Sequence, residues 1–241
     1  MSKSIEAYEL EKRVERYDID MELMHPNRTK MVEMALEFLP FYPKQSINAL
    51  DLGTGTGFFT KMFLEKFSNS HVIALDGAAS MIELAKTRLG SLCASIDFMV
   101  ADFVNLQEAL PQKGIFDVIF SSFALHHLTY EGKQRVLINV HSLLKPGGWF
   151  LNADNIIAET DEVEKRFQEL RVEGIVNRAE GQHDHFKDLA TTRKWLVDMQ
   201  TREKDNPIKL SEELKIMHNA GFKNIDILWK DYREVVCCGK N

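Results

Sequence analysis

The sequence predicts an α/β fold, a mostly parallel seven-stranded sheet with an antiparallel last strand, helices on both faces and a helical lid insertion. Three observations lead there. From residue 46 short apolar runs alternate with longer amphipathic segments, the sequence form of a parallel sheet covered by helices. After the fifth run, residues 155–205 carry many charges and no convincing strand, so a helical insertion is expected there. Only Asp231 and Tyr232 separate the last two apolar runs, and strands joined so tightly must be antiparallel, because a parallel crossover needs a dozen residues or more.

Residues 1–45 are expected to form an N-terminal helical cap, from "IEAYELEKRVERYD" and the amphipathic "HPNRTKMVEMALEFLP". The core, 46–154, holds five strands: "SINALDL" (46–52), "HVIALD" (71–76), "IDFMVAD" (96–102), "FDVIFSS" (116–122) and "GWFLNAD" (148–154). Each is short, apolar and closed by an acid, a serine or a glycine turn. Between them, "SMIELAKTRLG" places Met81, Leu84, Ala85 and Leu89 at helical spacing and stops on Gly90, and "EGKQRVLINVHSLLKPGG" repeats Val136, Val140, Leu143 and Leu144 before Pro-Gly-Gly. Residues 155–205 are the expected lid over the substrate region. Residues 206–241 supply a last helix, with Ser211 as its expected N-cap, and the strand pair 224–230 and 233–240 that completes the sheet.

A chain of 241 residues, 44% hydrophobic, can bury a sizeable core in one domain with additions. Its formal charge of −6 disfavours broad attraction to phosphate backbones or anionic membranes. The N-terminal stretch is polar and no uncharged apolar run approaches the roughly 20 residues of a membrane helix, so a cytoplasmic protein without membrane contact is expected, as monomer or homodimer. Cys93 stands alone and Cys237 adjoins Cys238, a spacing suited neither to a disulfide framework nor to a CxxC zinc site.

The stretch "ALDLGTGTGFFT" (49–60) sets three glycines, Gly53, Gly55 and Gly57, after a strand and before a helix. A glycine turn at the carboxyl end of a parallel strand lets a ligand approach the backbone. The spacing selects among ligands. A dinucleotide turn would put its third glycine where this chain has Phe58, and the Gly-Lys-Ser/Thr of a phosphate loop is absent. An acid at the strand end, Asp51, suits a cationic ligand where a pyrophosphate site would avoid it. Asp76 follows Asp51 by 25 residues, one crossover later, and Asp102 ends the third strand. Three acids at neighbouring strand ends are costly unless the ligand brings positive charge and hydrogen-bond donors.

At these residues the chain resembles the class I S-adenosylmethionine-dependent methyltransferases, a Rossmann-like family, over roughly Ser46 to Phe150. "DLGTGTG" resembles the family's first motif, which implies cofactor contacts from Asp51, Gly53, Thr54, Gly55 and Gly57. "ALDGAASMIELAK" (74–86) resembles its second strand, which implies a ribose-binding Asp76, with Gly77 beside it and Met81 packed on the adenine. "VADF" (100–103) is similar to the adenine pocket, with Ala101, Asp102 accepting from the exocyclic amine and Phe103 flanking the ring. "FSSFALHHL" (120–128) is similar to the fourth-strand end that faces the substrate, with Ser121 toward the cofactor and Phe123 toward the acceptor. The implied donor is S-adenosyl-L-methionine and the implied product S-adenosyl-L-homocysteine.

Methyl transfer from a sulfonium is an in-line displacement, so alignment supplies much of the acceleration. An acceptor that must lose a proton needs a base, for which His126 and His127 stand just beyond the fourth strand. Further candidates for the substrate side are Tyr17, His25, His183 and His185, with Phe167, Phe186 and Trp195 as lid residues. His183, Asp184 and His185 lack a third assured ligand, so a polar loop and no metal site is expected. The base-methylating Asn/Asp/Ser-Pro-Pro-aromatic motif is missing from "SSFALHH", and with the acidic charge this favours a small-molecule acceptor over nucleic acid. The alternatives are a tRNA- or RNA-modifying transferase using S-adenosylmethionine or a derivative, and a non-catalytic cofactor-binding partner subunit.

Overall fold

The computed structural model describes residues 3–8 and 11–241. Three helices, α1 (Lys3–Tyr8), α2 (Glu11–Met24) and α3 (Arg28–Phe38), precede the first strand. Then β1 (Asn48–Leu52), α4 (Phe58–Lys66), β2 (His71–Asp76), α5 (Ala79–Leu89), β3 (Ile96–Val100), α6 (Leu106–Ala109), β4 (Phe116–Ser122), α7 (Tyr130–Leu143) and β5 (Leu144–Asn155) alternate. The chain continues through α8 (Asp161–Ala179), α9 (Leu189–Glu203) and α10 (Leu210–Asn219) to β6 (Lys223–Asp231) and β7 (Glu234–Lys240).

The seven strands lie in the order β3-β2-β1-β4-β5-β7-β6. Strands β1 to β5 pair in parallel, and β7 runs antiparallel to both β5 and β6, so the last strand alone is reversed. The chain winds outward from β1 to β3 and then restarts at β4 on the other side of β1. That reversal opens a crevice at the carboxyl ends of β1 and β4, where ligands bind in open α/β sheets.

The strands read as continuous apolar runs because both faces are covered. Ala49, Ala74, Val118, Phe120, Leu151 and Val236 join α2 to α5, α8 and α9 in one core layer, while Leu50, Leu52, Leu75, Ile119, Phe150 and Val235 join α7 and α10 in the other. The same alternation turns Cys237 and Cys238 to opposite faces. Both are free thiols, and burial pushes Cys238 up to about 11.

Three details differ from the sequence reading. β5 starts at Leu144 rather than residue 148, with Lys145 to Gly148 spanning a register shift between the pairs Phe116–Leu144 and Val118–Trp149. The N-cap of α10 is Lys209, not Ser211: Glu212 accepts from the Lys209 backbone N–H at 3.0 Å, while the Ser211 hydroxyl donates to Glu159. The hairpin turn is Tyr232–Arg233, one residue later than expected, with Tyr232 at φ 43°.

Between β5 and α10, Thr160 caps α8 and Asp188 caps α9, and their apolar stripes, Val172, Ile175 and Ala179 with Leu196 and Met199, are buried. α8 packs on α2, and α9 packs on α1. Among the described residues no helix is long and apolar enough to cross a membrane.

Candidate active site

A cavity lies beyond the carboxyl ends of β1, β2 and β4, the place where ligands bind in open parallel sheets. Its floor is the turn after β1. Gly53 takes φ +79°, and a side-chain methyl there would stand 2.4 Å from the Cβ of Ala124, so only glycine lets the two strand ends meet. Gly55, at φ +52°, has open space where a Cβ would be and so presents bare backbone to the cavity. Thr54 also lines it, while Gly57 caps α4 under Leu89 and does not.

Two acids converge on this turn. Asp51 is buried and its Oδ2 accepts from the hydroxyls of Thr54 at 2.8 Å and Thr60 at 2.6 Å. Burial raises its pKa to about 6, opposed by those two hydroxyls and aided by the charge of Asp76. No cationic side chain pairs with it among the described residues. Asp76, at the end of β2, accepts from the backbone N–H of Gly55 at 2.8 Å and of Ala78 at 2.9 Å. Gly77, Ala78, Met81 and Phe103 continue the wall.

Asp102 and Ala101 lie beside the cavity rather than on its wall, Asp102 capping a short turn by accepting from Val104 N–H. Ser121 is buried and donates to the Leu52 carbonyl at 2.7 Å, tying β4 to β1. Its neighbour Ser122 lines the cavity instead, and the Ser122 hydroxyl is buried without a hydrogen-bond partner among the described residues. Phe123 follows at φ +49°, a costly conformation for a bulky residue that concentrates at functional sites. It lines the wall and packs on His25 with ring centroids 4.4 Å apart.

Opposite stands a polar cluster. A short turn, Leu125–His127, carries the two histidines, and only His127 reaches the main cavity, while His126 faces an adjoining one. His126 Nδ1 lies 2.6 Å from Asp154 Oδ1, at the end of β5. Burial works against protonating His126, yet the Asp154 and Asp205 carboxylates raise its pKa. His127 Nδ1 is 3.0 Å from Asp205 Oδ1, and the Tyr8 hydroxyl lies 3.2 Å from His127 Nε2 while donating to Glu203 at 2.8 Å. Lys204 at φ 58° ends α9, and Asn206 N–H donates to the His126 carbonyl, which fixes Asp205 against the histidine turn.

The remaining sequence candidates divide. Tyr17 lines both cavities, packed edge-on against Tyr8 at 6.1 Å. His25 lines the adjoining cavity, with Nδ1 2.7 Å from Glu234 Oε1; burial lowers its pKa despite that carboxylate. His183 and His185 line none of these cavities: His183 meets Arg16 at 3.2 Å and His185 stacks on Trp195. Phe186 is buried against Trp195, and Phe167 lines a further cavity beside Tyr232.

Sequence reasoning passed over Tyr8, Arg28, Ser122 and Asp205. Tyr8 arrives on α1, whose backbone is held by a hydrogen bond from the Ser80 hydroxyl to the Tyr8 carbonyl. Arg28 arrives from α3 over the Phe58 ring at 4.1 Å and pairs with Asp18, which also accepts from Thr56 and pairs with Arg88. For Ser122 a signal existed, since neighbours on a strand face opposite ways. For Asp205 there was none.

Residues 49–148 match the family model described as a methyltransferase domain. An uncharacterized methyltransferase of Anoxybacillus flavithermus is 34% identical over 131 residues, which cover 54% of this chain and 58% of that protein. A carboxy-S-adenosyl-L-methionine synthase of Campylobacter lari is 22% identical over 205 residues, 85% of this chain and 82% of that one. Among solved structures, PigF with SAH superposes with a TM-score of 0.68 at 17% identity, covering this whole chain and 62% of that chain. The chain thus spans little more than half the length of the Anoxybacillus relative. Strand order and the reversed last strand place the chain in the Rossmann-like α/β class. Within that class, residues 49–148 match a methyltransferase domain, and the Anoxybacillus relative is itself named a methyltransferase.

Proposed function

We propose that the protein transfers a methyl group from S-adenosylmethionine to a small-molecule acceptor. The observation that carries this reading is the cavity in which the bare Gly53–Gly55 backbone and the carboxylates of Asp51 and Asp76 converge on one side and Phe123 and His127 stand on the other. The methionine part of the donor would lie over the glycine turn, its ammonium satisfying Asp51. Asp76 would take the ribose diol and Met81 and Phe103 the adenine, with Asp102 and Ala101 contributing from the rim. The acceptor would enter between Phe123, Tyr17 and His127, with His25 and His126 shaping the adjoining space. Because alignment carries most of the rate, the histidine cluster would serve the acceptor's proton rather than the methyl itself.

Roofing of the main cavity by α1 and α2, with α8 and α9 lining the adjoining one, favours a small acceptor over a polymer. Incubating the protein with methyl-labelled S-adenosylmethionine and separate metabolite and RNA fractions tests this: label in a small molecule is expected, and label in RNA alone would overturn the acceptor class. A second reading draws on the long match to the carboxy-S-adenosyl-L-methionine synthase. Arg171 lines the adjoining cavity, forms no ion pair among the described residues and has its pKa lowered to about 10 by burial; such a guanidinium would hold a carboxylate. Under that reading a carboxylated cofactor, visible by mass, would form instead of a methylated acceptor.

A further inference from the structure

We propose that His126, His127 and Asp205 form a binding site for one divalent first-row transition-metal cation on the acceptor side of the cavity. One ligand atom from each of the three residues lies within 4.8 Å of the others. His126 Nε2 is 3.7 Å and His127 Nδ1 3.0 Å from the same Asp205 oxygen. The three side chains are 8–10% exposed, so water does little to screen them.

The proton count points to a cation. Tyr8 has one phenolic proton and donates it to Glu203, so its oxygen faces His127 Nε2 as an acceptor. That assigns the His127 ring proton to Nε2 and leaves a lone pair on Nδ1. This lone pair faces a carboxylate oxygen 3.0 Å away, and both atoms are buried without an aligned hydrogen bond among the described residues. Two acceptors so placed are reconciled by positive charge between them, which a metal cation supplies in place of a ring proton. His126 is prepared in the same sense: Asp154 accepts from its Nδ1–H, leaving Nε2 to coordinate, the carboxylate–histidine–metal arrangement that outer-shell partners provide. Two imidazoles and one carboxylate favour zinc, iron, cobalt or nickel over magnesium or calcium, and leave coordination positions open.

Since His127 borders the main cavity, an open position would face the acceptor. This role rests on the methyl-transfer reading, although the metal binding itself does not. A hydroxyl bound there would lose its proton to solvent at neutral pH. Its oxygen lone pair would then form the new bond to the methyl carbon as the sulfur–carbon pair returns to sulfur.

The test uses the full chain, stripped with a chelator and titrated with cobalt(II), followed by calorimetry and visible absorption. One cobalt per chain with ligand-field bands is expected. Asp205→Asn and His127→Gln should each weaken binding at least tenfold, and Asp154→Asn by about 10–100-fold. His183→Ala should match the wild type. S-adenosylhomocysteine binding, measured on each variant, reports that the chain is folded. Wild-type protein that binds S-adenosylhomocysteine but no cobalt would overturn the proposal, as would unchanged cobalt affinity in both Asp205→Asn and His127→Gln. Cobalt binding with the expected variant pattern but no S-adenosylhomocysteine binding would keep the metal site and remove the methyltransferase reading.

Discussion

On the β1–β3 side of the cavity, backbone and strand-end acids from residues 51 to 81 supply almost the whole wall, joined by Phe103. On the facing side, Tyr8, Tyr17, Arg28, Phe123 and His127 come from α1, α2, α3 and the loop after β4. The first wall is held by main-chain hydrogen bonds, such as Gly53 and Thr54 N–H to the Leu75 carbonyl. The second is held by side chains reaching across long sequence separations, as in Tyr8 to Glu203. A wall built of backbone tolerates little substitution and keeps one ligand; a wall built of side chains on separate helices can be re-cut for different acceptors.

The contrast breaks first at Gly53. Gly53→Val places a branched side chain against Ala124 at a left-handed φ, which costs on the order of 1–3 kcal/mol in strain and overpacking. S-adenosylhomocysteine affinity, read by calorimetry, should fall by about 10- to 100-fold or more. Next is Asp76→Ala, which removes a charged acceptor worth about 1.5–3 kcal/mol and should weaken cofactor binding by roughly tenfold or more. An unchanged affinity for either variant would misplace the cofactor.

Asp51 sharpens the comparison through pH. Its folded pKa, about 6, lies above the ordinary carboxyl value of 3.8, so the ligand-free fold loses stability as pH rises from about 4 to about 6. A cationic ligand favours the ionised form and reverses that trend. Cofactor affinity should therefore rise with pH through about 6 and fall by up to about tenfold per unit below it. Asp51→Asn should flatten the profile, and a wild-type affinity independent of pH between 5 and 7 would contradict this account.

The smallest expected effect belongs to the other wall. Tyr8→Phe keeps the ring but removes the link between α1, Glu203 and His127, at about 0.5–1.5 kcal/mol. Turnover should drop while S-adenosylhomocysteine affinity stays within about threefold. A larger loss of cofactor affinity would mean that the two walls are not separable.

The same contrast decides what could be read from the chain. The strands, the reversed β7 and the glycine turn were legible because each depends on contiguous residues: apolar runs, a two-residue hairpin and a loop that must be bare. Asp51 and Asp76 were legible because strand ends converge in a parallel sheet. Ser121 was named, whereas Ser122 is the serine that lines the cavity, since the face of a strand is set by pairing to its neighbours. The facing wall was legible only in part. His126 and His127 were named, but their partners Asp154 and Asp205 lie 28 and 78 residues away, the first brought in by β5 pairing with β4 and the second by the segment after α9. His183 and His185 stood out by composition, yet face Arg16 and Trp195.

The central claim, that this cavity holds a sulfonium cofactor's nucleoside and amino-acid parts, is tested most directly by thermal unfolding with S-adenosylhomocysteine beside NAD. At about 100 times its dissociation constant a ligand stabilises the folded state by about 2.7 kcal/mol, which at roughly 2–4 °C per kcal/mol for a chain of this size gives a Tm rise of roughly 5–10 °C. That rise with S-adenosylhomocysteine and none with NAD is the predicted result. No shift with S-adenosylhomocysteine, or a larger one with NAD, would contradict the account.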